Sequence, residues 1–346
     1  MPHHRLRIIY SLIQKSLGWS PIVGVLGARQ SGKTTLLKEF ADSYRTFDDA
    51  KLENEIAQGG VAFLDARKAP FFLDEVQKYP PIFDLLKISV DEKKRPGRFL
   101  ITGSVRFASK KSIRESLTGR AVTWELLPLT AAECFEKAKT PSAFSILARG
   151  LDLPRLRTAL EKRSWCAPAQ WRHYGAHGGM PGFCFLRDPA QRLAAATSLL
   201  ETVIERDFFY IRASKIRTPV LMDILRDIAA EEGLPIRYSS LARKYRLSVP
   251  TVKATIVALE ALFLIRPHGK TWYFEDLGIS ELLGRSRGTQ PPRVVEKLVF
   301  STLKAWRAYE KPAQISLSSF DTKGGAHVPF LLEAKDAPLT AICVDE

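Results

Sequence analysis

The chain has 346 residues, 45% apolar and 26% charged, the usage of a globular protein of about two or three domains. Its 52 Lys and Arg against 37 Asp and Glu give a formal charge of +15, a field that favours polyanions, nucleic acid before anionic lipid. No apolar run approaches the roughly 18 residues of a membrane span, since the best candidate, Val252 to Ile265, is broken by Lys253 and Glu260 and reads as a helix running into a strand.

Met1 to Leu17 mixes Arg5, Arg7 and Lys15 with apolar residues and lacks the continuous apolar core of a signal peptide, so none is expected. Short apolar or β-branched runs follow at Ile22 to Leu26, Tyr44 to Phe47, Pro70 to Leu73, Phe99 to Thr102 and Ala121 to Glu125. Longer amphipathic stretches separate them, which predicts an α/β fold, a parallel sheet with helical crossovers. That region ends near Leu127-Pro128-Leu129-Thr130. Residues 140–235 read as mainly helical, with a turn cluster at Gly175, Gly178, Gly179, Pro181 and Gly182 and then a helix over Pro189 to Phe209. Residues 235–275 read as short helices and a hairpin, and the last stretch as one helix, Val294 to Lys304, followed by short strands. Cys134, Cys166, Cys184 and Cys343 contain no C-x-x-C pair, which argues against a disulfide framework and a structural zinc and fits a reducing cytoplasm.

Gly27-Ala28-Arg29-Gln30-Ser31-Gly32-Lys33-Thr34 matches G-x-x-x-x-G-K-[ST] between a predicted strand and a helical run from Thr35 to Phe40. In that setting backbone N–H groups converge on the phosphates of ATP, Lys33 reaches the β- and γ-phosphates, and the Thr34 hydroxyl ligates Mg²⁺. The binding set extends to Thr35. A chance match in a glycine-rich turn is the alternative. Phe71-Phe72-Leu73-Asp74-Glu75, whose acid lies forty residues beyond Thr34, supplies the second centre. Asp74 is placed to hold the Mg²⁺ shell and Glu75 to polarise the attacking water. Taken alone, the pair also suits a solvated helix cap.

Phe99-Leu100-Ile101-Thr102 is expected between these two strands, with Thr102 or Ser104 as a sensor of the γ-phosphate; a plain glycine turn is the competing reading. Arg120 offers a cation to the γ-phosphate, in cis or from a neighbouring subunit, and Arg29 competes for that role.

Gly-Ala-Arg-Gln-Ser-Gly-Lys-Thr-Thr-Leu-Leu at 27–37, Phe-Asp-Asp at 47–49 and Phe-Leu-Asp-Glu-Val-Gln-Lys at 72–78 resemble one large family of bacterial and archaeal AAA-type ATPases. Leu-Ile-Thr-Gly-Ser at 100–104, Leu-Thr-Gly-Arg at 117–120 and Glu-Leu-Leu-Pro-Leu at 125–129 continue the likeness. Gly-Gly-Met-Pro-Gly at 178–182, Glu-Arg-Asp at 205–207 and Tyr-Phe-Glu-Asp-Leu-Gly at 273–278 look like markers of that family's C-terminal region of unknown function. The resemblance implies an ATPase domain, here 1–138, a winged helix, 235–285, and a module related to restriction endonucleases, 286–346; the helical stretch 139–234 reads as a linker domain between the first two. It also implies an oligomer, with hydrolysis completed by a neighbouring subunit.

One departure concerns the last module. Relatives often carry Glu-Val-Asp and then Glu-x-Lys, a nuclease's metal set, where this chain reads His327-Val328-Pro329 and Cys343-Val344-Asp345. Pro329 cannot ligate a metal and the lysine is absent, so nuclease activity is not expected, although Glu333, Asp336, Asp345 and Glu346 could in principle substitute.

Tyr238 to Ala242 opens a helix, and Ser248 caps a second one over about 250–262, with Pro250 early in it. Residues 237–270 hold seven Lys or Arg and one acid, Glu260. Arg243, Lys244, Arg246, Thr251, Lys253 and Lys270 are the candidate contacts to duplex DNA or an RNA–DNA hybrid, with Thr255 expected on the same exposed face and His268-Gly269-Lys270 in a wing. A protein-interaction role is the alternative. A second basic stretch, 87–120, includes Lys93-Lys94-Arg95 and Lys110-Lys111 and reads either as a solvated face or as part of a shared groove. His173 and His177 are four apart, but Gly175 and Gly178 argue against one helix holding both, so no metal site is expected there.

Overall fold

A computed structural model describes residues 4–106, 115–139, 142–147, 153–161, 166–212, 216–285, 293–310, 315–322, 327–334 and 339–344. The chain divides into two compact units, the first built from Arg7–Leu127 with Ala261–Phe263 and the second from the remainder. Among the described residues no helix is long and apolar enough to cross a membrane.

The first unit opens with α1 (Tyr10–Leu17) and holds five strands: β1 (Ile22–Leu26), β2 (Ser43–Thr46), β3 (Phe71–Asp74), β4 (Phe99–Gly103) and β5 (Ala121–Glu125). All neighbours pair in parallel, in the order β2-β3-β4-β1-β5. Helices α2 (Lys33–Leu37), α3 (Ala50–Asp65) and α4 (Ile82–Glu92) follow β1, β2 and β3. Every residue of β3 and β4 is buried, which is why residues 71–73 and 99–101 are apolar without alternation. Phe71, Leu73, Phe99 and Ile101 pack with Leu52, Ile56, Phe83 and Leu86 in one cluster. β3 begins one residue later than the sequence suggested because Pro70 has no N–H for the ladder, and pairing of Thr46 with Asp74 carries it one residue further, to the acid. Parallel strands align their carboxyl ends, and ligands of open α/β sheets gather outside those ends. Here the ends of β1, β3 and β4 are adjacent.

The second unit is helical before it becomes mixed. α5 (Ala131–Cys134) starts with a reciprocal cap between Thr130 and Glu133, and α6 (Ala143–Leu147), α7 (Leu153–Glu161) and α8 (Pro168–His177) follow. α9 (Pro189–Thr202) is capped by Asp188 and runs on through a wider turn, Val203–Phe208, to Ile211. Then come α10 (Thr218–Ala230), α11 (Tyr238–Tyr245), α12 (Val249–Ala261), the hairpin β6 (Ile265–His268) and β7 (Thr271–Phe274), α13 (Leu277–Arg285) and α14 (Val294–Glu310). β8 (Ile315–Asp321), β9 (His327–Ala334) and β10 (Thr340–Ile342) close the unit as an antiparallel sheet of order β10-β9-β8.

The Gly-Gly turn after α8 is a point of close backbone approach. A Cβ on Gly179 would lie 1.8 Å from Leu129 O, and Gly179 N donates to Asp276 Oδ2 at 2.7 Å. The other Asp276 oxygen accepts from Ile279 N at 3.1 Å, capping α13. Burial lifts this carboxyl to about 6, against the backbone N–H donors that pull it down.

Candidate nucleotide-binding site

The loop after β1 is held from both sides. A Cβ on Gly27 would stand 2.3 Å from Leu126 O, so only glycine allows the loop to leave the sheet here. Gly32, at φ +97, turns the chain into α2. Lys33 is buried, and its Nζ donates to Gly27 O at 3.0 Å and Ala28 O at 2.9 Å, drawing the ammonium across the loop. Ser31 is fully buried, and its hydroxyl has no hydrogen-bond partner among the described residues. An orphaned hydroxyl beside a buried ammonium is the polar lining that a phosphate would satisfy. Arg29 is half-buried on the loop, while Gln30 and Thr35 are exposed.

Thr34 Oγ1 donates to Asp74 Oδ2 at 2.8 Å. Thr102 Oγ1, at the end of β4, donates to Asp74 Oδ1 and accepts from Glu75 N at 3.1 Å. The hydroxyl and carboxylate that the sequence assigned to a metal are thus in direct contact, with Thr102 behind them. This donor set, one hydroxyl and one carboxylate in direct contact, fits a Mg²⁺ that keeps most of its waters.

Glu75 adopts a left-handed backbone, φ +56 and ψ 41, which is strained for a residue with a Cβ. Its Oε2 accepts from Ser104 Oγ at 2.9 Å and from Gln77 Nε2, and Gln77 Nε2 also reaches Ser104 Oγ at 3.1 Å. Both candidate sensors therefore touch an acid, Thr102 bonding Asp74 and Ser104 bonding Glu75.

Three residues of the site had no role in the sequence reading. Tyr44 OH, on β2, donates to Asp74 Oδ2 at 3.2 Å; burial and then the Asp74 charge push this phenol up to about 12, so it stays a donor. Gln77 was visible only as a letter of the 72–78 match. Arg7 donates to Ser31 O at 2.9 Å, and nothing in its flanking sequence marks it.

Arg120 lies elsewhere. Its carbonyl accepts from Ile22 N at 3.2 Å, at the amino end of β1, and its guanidinium forms two 2.7 Å bonds to Asp91. That is about 16 Å of strand from the loop of its own chain. The in-cis placement fails on this register.

In the second unit, Thr251 N donates to Ser248 Oγ at 3.2 Å, the cap expected of α12. Thr255 does not share the exposed face: it is fully buried, and its hydroxyl donates to Thr251 O at 2.9 Å. α12 instead exposes Pro250, Lys253 and Val257, while Thr251 is half-buried. Lys244 pairs with Asp227 at 2.5 Å, Arg237 with Glu231, and Arg266 with Glu275 at 2.8 Å. Arg243, Arg246 and Lys270 are exposed and form no ion pair among the described residues.

In the first unit Lys93 pairs with Asp65 at 2.6 Å, whereas Lys110 and Lys111 lie outside the described residues. His173 and His177 do share one helix, α8, with ring nitrogens 3.0 Å apart, contrary to expectation. Gly175 sits within α8 facing α14, where a Cβ would make only ordinary contact with Val294 at 3.5 Å, so the helix runs through it. Pro329 is buried beside Phe330, which packs with Phe300, Leu303 and Trp306; Glu333 is exposed, and Asp336, Asp345 and Glu346 lie outside the described residues.

Residues 20–135 match the family model of an AAA domain, and residues 168–271 match that of a domain of unknown function, DUF8612. Uncharacterized protein Mb2031c of Mycobacterium bovis and uncharacterized protein Rv2008c of Mycobacterium tuberculosis are each 34% identical over 127 residues, 35% of this chain and 28% of theirs. The chain therefore spans only 28% of the length of these curated relatives. Among solved structures it is similar to the Walker-type ATPase PABY2304 of Pyrococcus abyssi, at TM-score 0.46 and 16% identity, covering 79% of this chain and 94% of that one. It is also similar to PH0952 of Pyrococcus horikoshii, a signal-transduction ATPase with numerous domains and a tetratricopeptide repeat sensor, at TM-score 0.33 and 12% identity, covering 90% and 47%.

Proposed function

We propose, for a chain whose residues 20–135 are an AAA-type ATPase domain and whose residues 168–271 are a domain of unknown function, that the loop 27–34 binds ATP and that the site hydrolyses it. The observation that carries this reading is the contact of Thr34 with Asp74, backed by Thr102. Lys33 would turn its ammonium from the Gly27 and Ala28 carbonyls to the β- and γ-phosphates, and Ser31 would donate its orphaned hydroxyl. Thr34 and Asp74 would hold Mg²⁺, which when bound offsets negative charge on the phosphate oxygens. Glu75 orients a water and takes its proton as the oxygen attacks the γ-phosphorus, the β–γ bridging bond breaks, and ADP and phosphate leave. Arg120, out of reach in its own chain, would act only from a neighbouring subunit of an oligomer; Arg29 is the candidate in cis.

The basic second unit supports contact with nucleic acid, duplex DNA or an RNA–DNA hybrid. Arg243, Arg246 and Lys270 are the cations available for phosphates, with Lys253 on α12, and α11, α12 and the β6–β7 hairpin together form a winged helix. One observation favours a second reading, nucleotide-controlled binding of a protein: α12 exposes Pro250 and Val257 beside Lys253, with Val257 60% exposed, so that face is not purely basic. ATP hydrolysis measured alone and with single-stranded, duplex and hybrid nucleic acid tests both. Hydrolysis stimulated by one of these polymers supports the first. Hydrolysis indifferent to all of them supports the second, and no nucleotide binding at all sinks the shared premise.

A further inference from the structure

Arg7 precedes α1 and is 8% exposed. Its carbonyl accepts from Tyr10 N at 3.1 Å where α1 begins, and Ile9 and Ile13 are fully buried, so the guanidinium stands on a fixed base. Trp124 Nε1 donates to Ser16 Oγ at 3.0 Å, tying the far end of α1 to β5. Arg7 Nη1 donates to Ser31 O at 2.9 Å and Nη2 to Leu127 O at 2.6 Å. A planar guanidinium presents its donors at one spacing, so these two carbonyls are fixed relative to each other.

Ser31 belongs to the phosphate loop, and Leu127 is the residue at which the chain leaves this unit. The loop's other end meets the same segment, since Gly27 packs on Leu126 O and Leu126 N donates to Leu26 O at 2.7 Å. A trans peptide sets its C=O and N–H on opposite sides. Holding Ser31 O against Arg7 therefore turns Gly32 N–H away from the guanidinium, and a phosphate that engaged this N–H would fix the same peptide plane from its other edge.

We propose that Arg7 is a positioning residue that couples the phosphate loop to Leu126 and Leu127, so that filling the loop orders the chain's exit from this unit. The coupling rests on the nucleotide reading of the loop. Amide hydrogen exchange of the full chain, with and without a non-hydrolysable ATP analogue and Mg²⁺, tests it. In the wild type the analogue slows exchange over 28–36 and also at Leu126 and Leu127, the latter by about tenfold. In Arg7→Met no donor remains for either carbonyl, so saturating analogue still protects 28–36 but leaves Leu126 and Leu127 unchanged; Arg7→Ala behaves alike. Protection of 28–36 without any at Leu126 and Leu127 in the wild type overturns the coupling without recourse to a variant. Equal protection at those two amides in all three proteins overturns it as well. Absence of protection at 28–36 in the wild type overturns the nucleotide reading itself, and the coupling with it.

Discussion

Thr34 Oγ1 and Asp74 Oδ2 stand 2.8 Å apart, so the loop after β1 meets the acid that ends β3 across the carboxyl edge of the sheet. β4 lies between those two strands, and Thr102 at its end donates to the other Asp74 oxygen. With Tyr44 of β2 also donating, the acid is held in one orientation by three hydroxyls from three elements.

Glu75 is the group with a chemical task distinct from binding. Glu75→Gln keeps the volume and an acceptor for Ser104 but cannot take a proton. Turnover should fall by about 10² to 10⁴ while ATP affinity changes little. Lys33→Ala should do the reverse first, weakening nucleotide binding by about 2 kcal/mol through loss of charged hydrogen bonds. Isothermal titration with single-turnover assays separates the two; wild-type hydrolysis by the Glu75 variant would remove it from the role of base.

Gly27 tests the close approach beneath the loop. A methyl group here meets the Leu126 carbonyl at 2.3 Å, so either the loop or the end of β5 must move. Gly27→Ala should cost about 1–3 kcal/mol of stability and weaken nucleotide binding further. An unchanged melting temperature would show that the backbone accommodates a Cβ freely.

Motifs with fixed spacing made the phosphate loop, Asp74 and Glu75 readable from sequence, because converging N–H groups, an ammonium and a hydroxyl must come from one turn. The strand runs were readable because a doubly covered sheet needs continuous apolar segments. Tyr44, Gln77 and Arg7 were not, since each reaches the site through strand pairing or tertiary packing that no local pattern encodes. Thr255 misled because a threonine facing the core can satisfy its hydroxyl on the Thr251 carbonyl one turn back. For Arg120 only the choice between its own chain and a neighbour stayed illegible, because strand pairing decides which end of the sheet it occupies.

Asp276 sets a pH dependence of stability. Its carboxyl titrates near 6 in the folded chain against an ordinary 3.8, chiefly through burial. Between these values the folded chain binds more protons than the unfolded one. The stability this group contributes is thus fully present below about 3.8 and is lost as pH rises through about 6. Asp276→Asn cannot ionise, so its denaturant midpoint should vary less over that window, although the amide can accept from only one of Gly179 and Ile279 and should cost about 1–3 kcal/mol outright. Parallel slopes for the two proteins would place the titration elsewhere.

Lys297 and Glu232 form a buried pair at 3.3 Å, both under 5% exposed, with Ser280 and the Phe274 N–H completing the carboxylate's bonds. Lys297→Met leaves that carboxylate without its counter-charge and should destabilise the second unit by about 3–5 kcal/mol. Adding Glu232→Gln should recover part of the loss. A double variant no more stable than the single one would mean that packing of the lysine stem, rather than charge, holds α14 in place.

The second unit's cations divide into those held by carboxylates and those that are not, and this division predicts which of them respond to salt. Lys244 is tied to Asp227, whereas Arg243 and Arg246 flank it on the same helix end with no ion pair among the described residues. If nucleic acid binds here, Arg243→Ala and Arg246→Ala should each lower the slope of log affinity against log salt by about 0.9 on duplex DNA, one released counterion per phosphate contact. Lys244→Ala should change the slope less, because its charge is largely offset by Asp227 before any phosphate arrives. Val257→Glu separates the rival reading: it should weaken a phosphate contact modestly by repulsion but abolish docking of a protein on the exposed face of α12. Equal slopes across the arginine variants and the wild type would locate nucleic-acid binding off this face altogether.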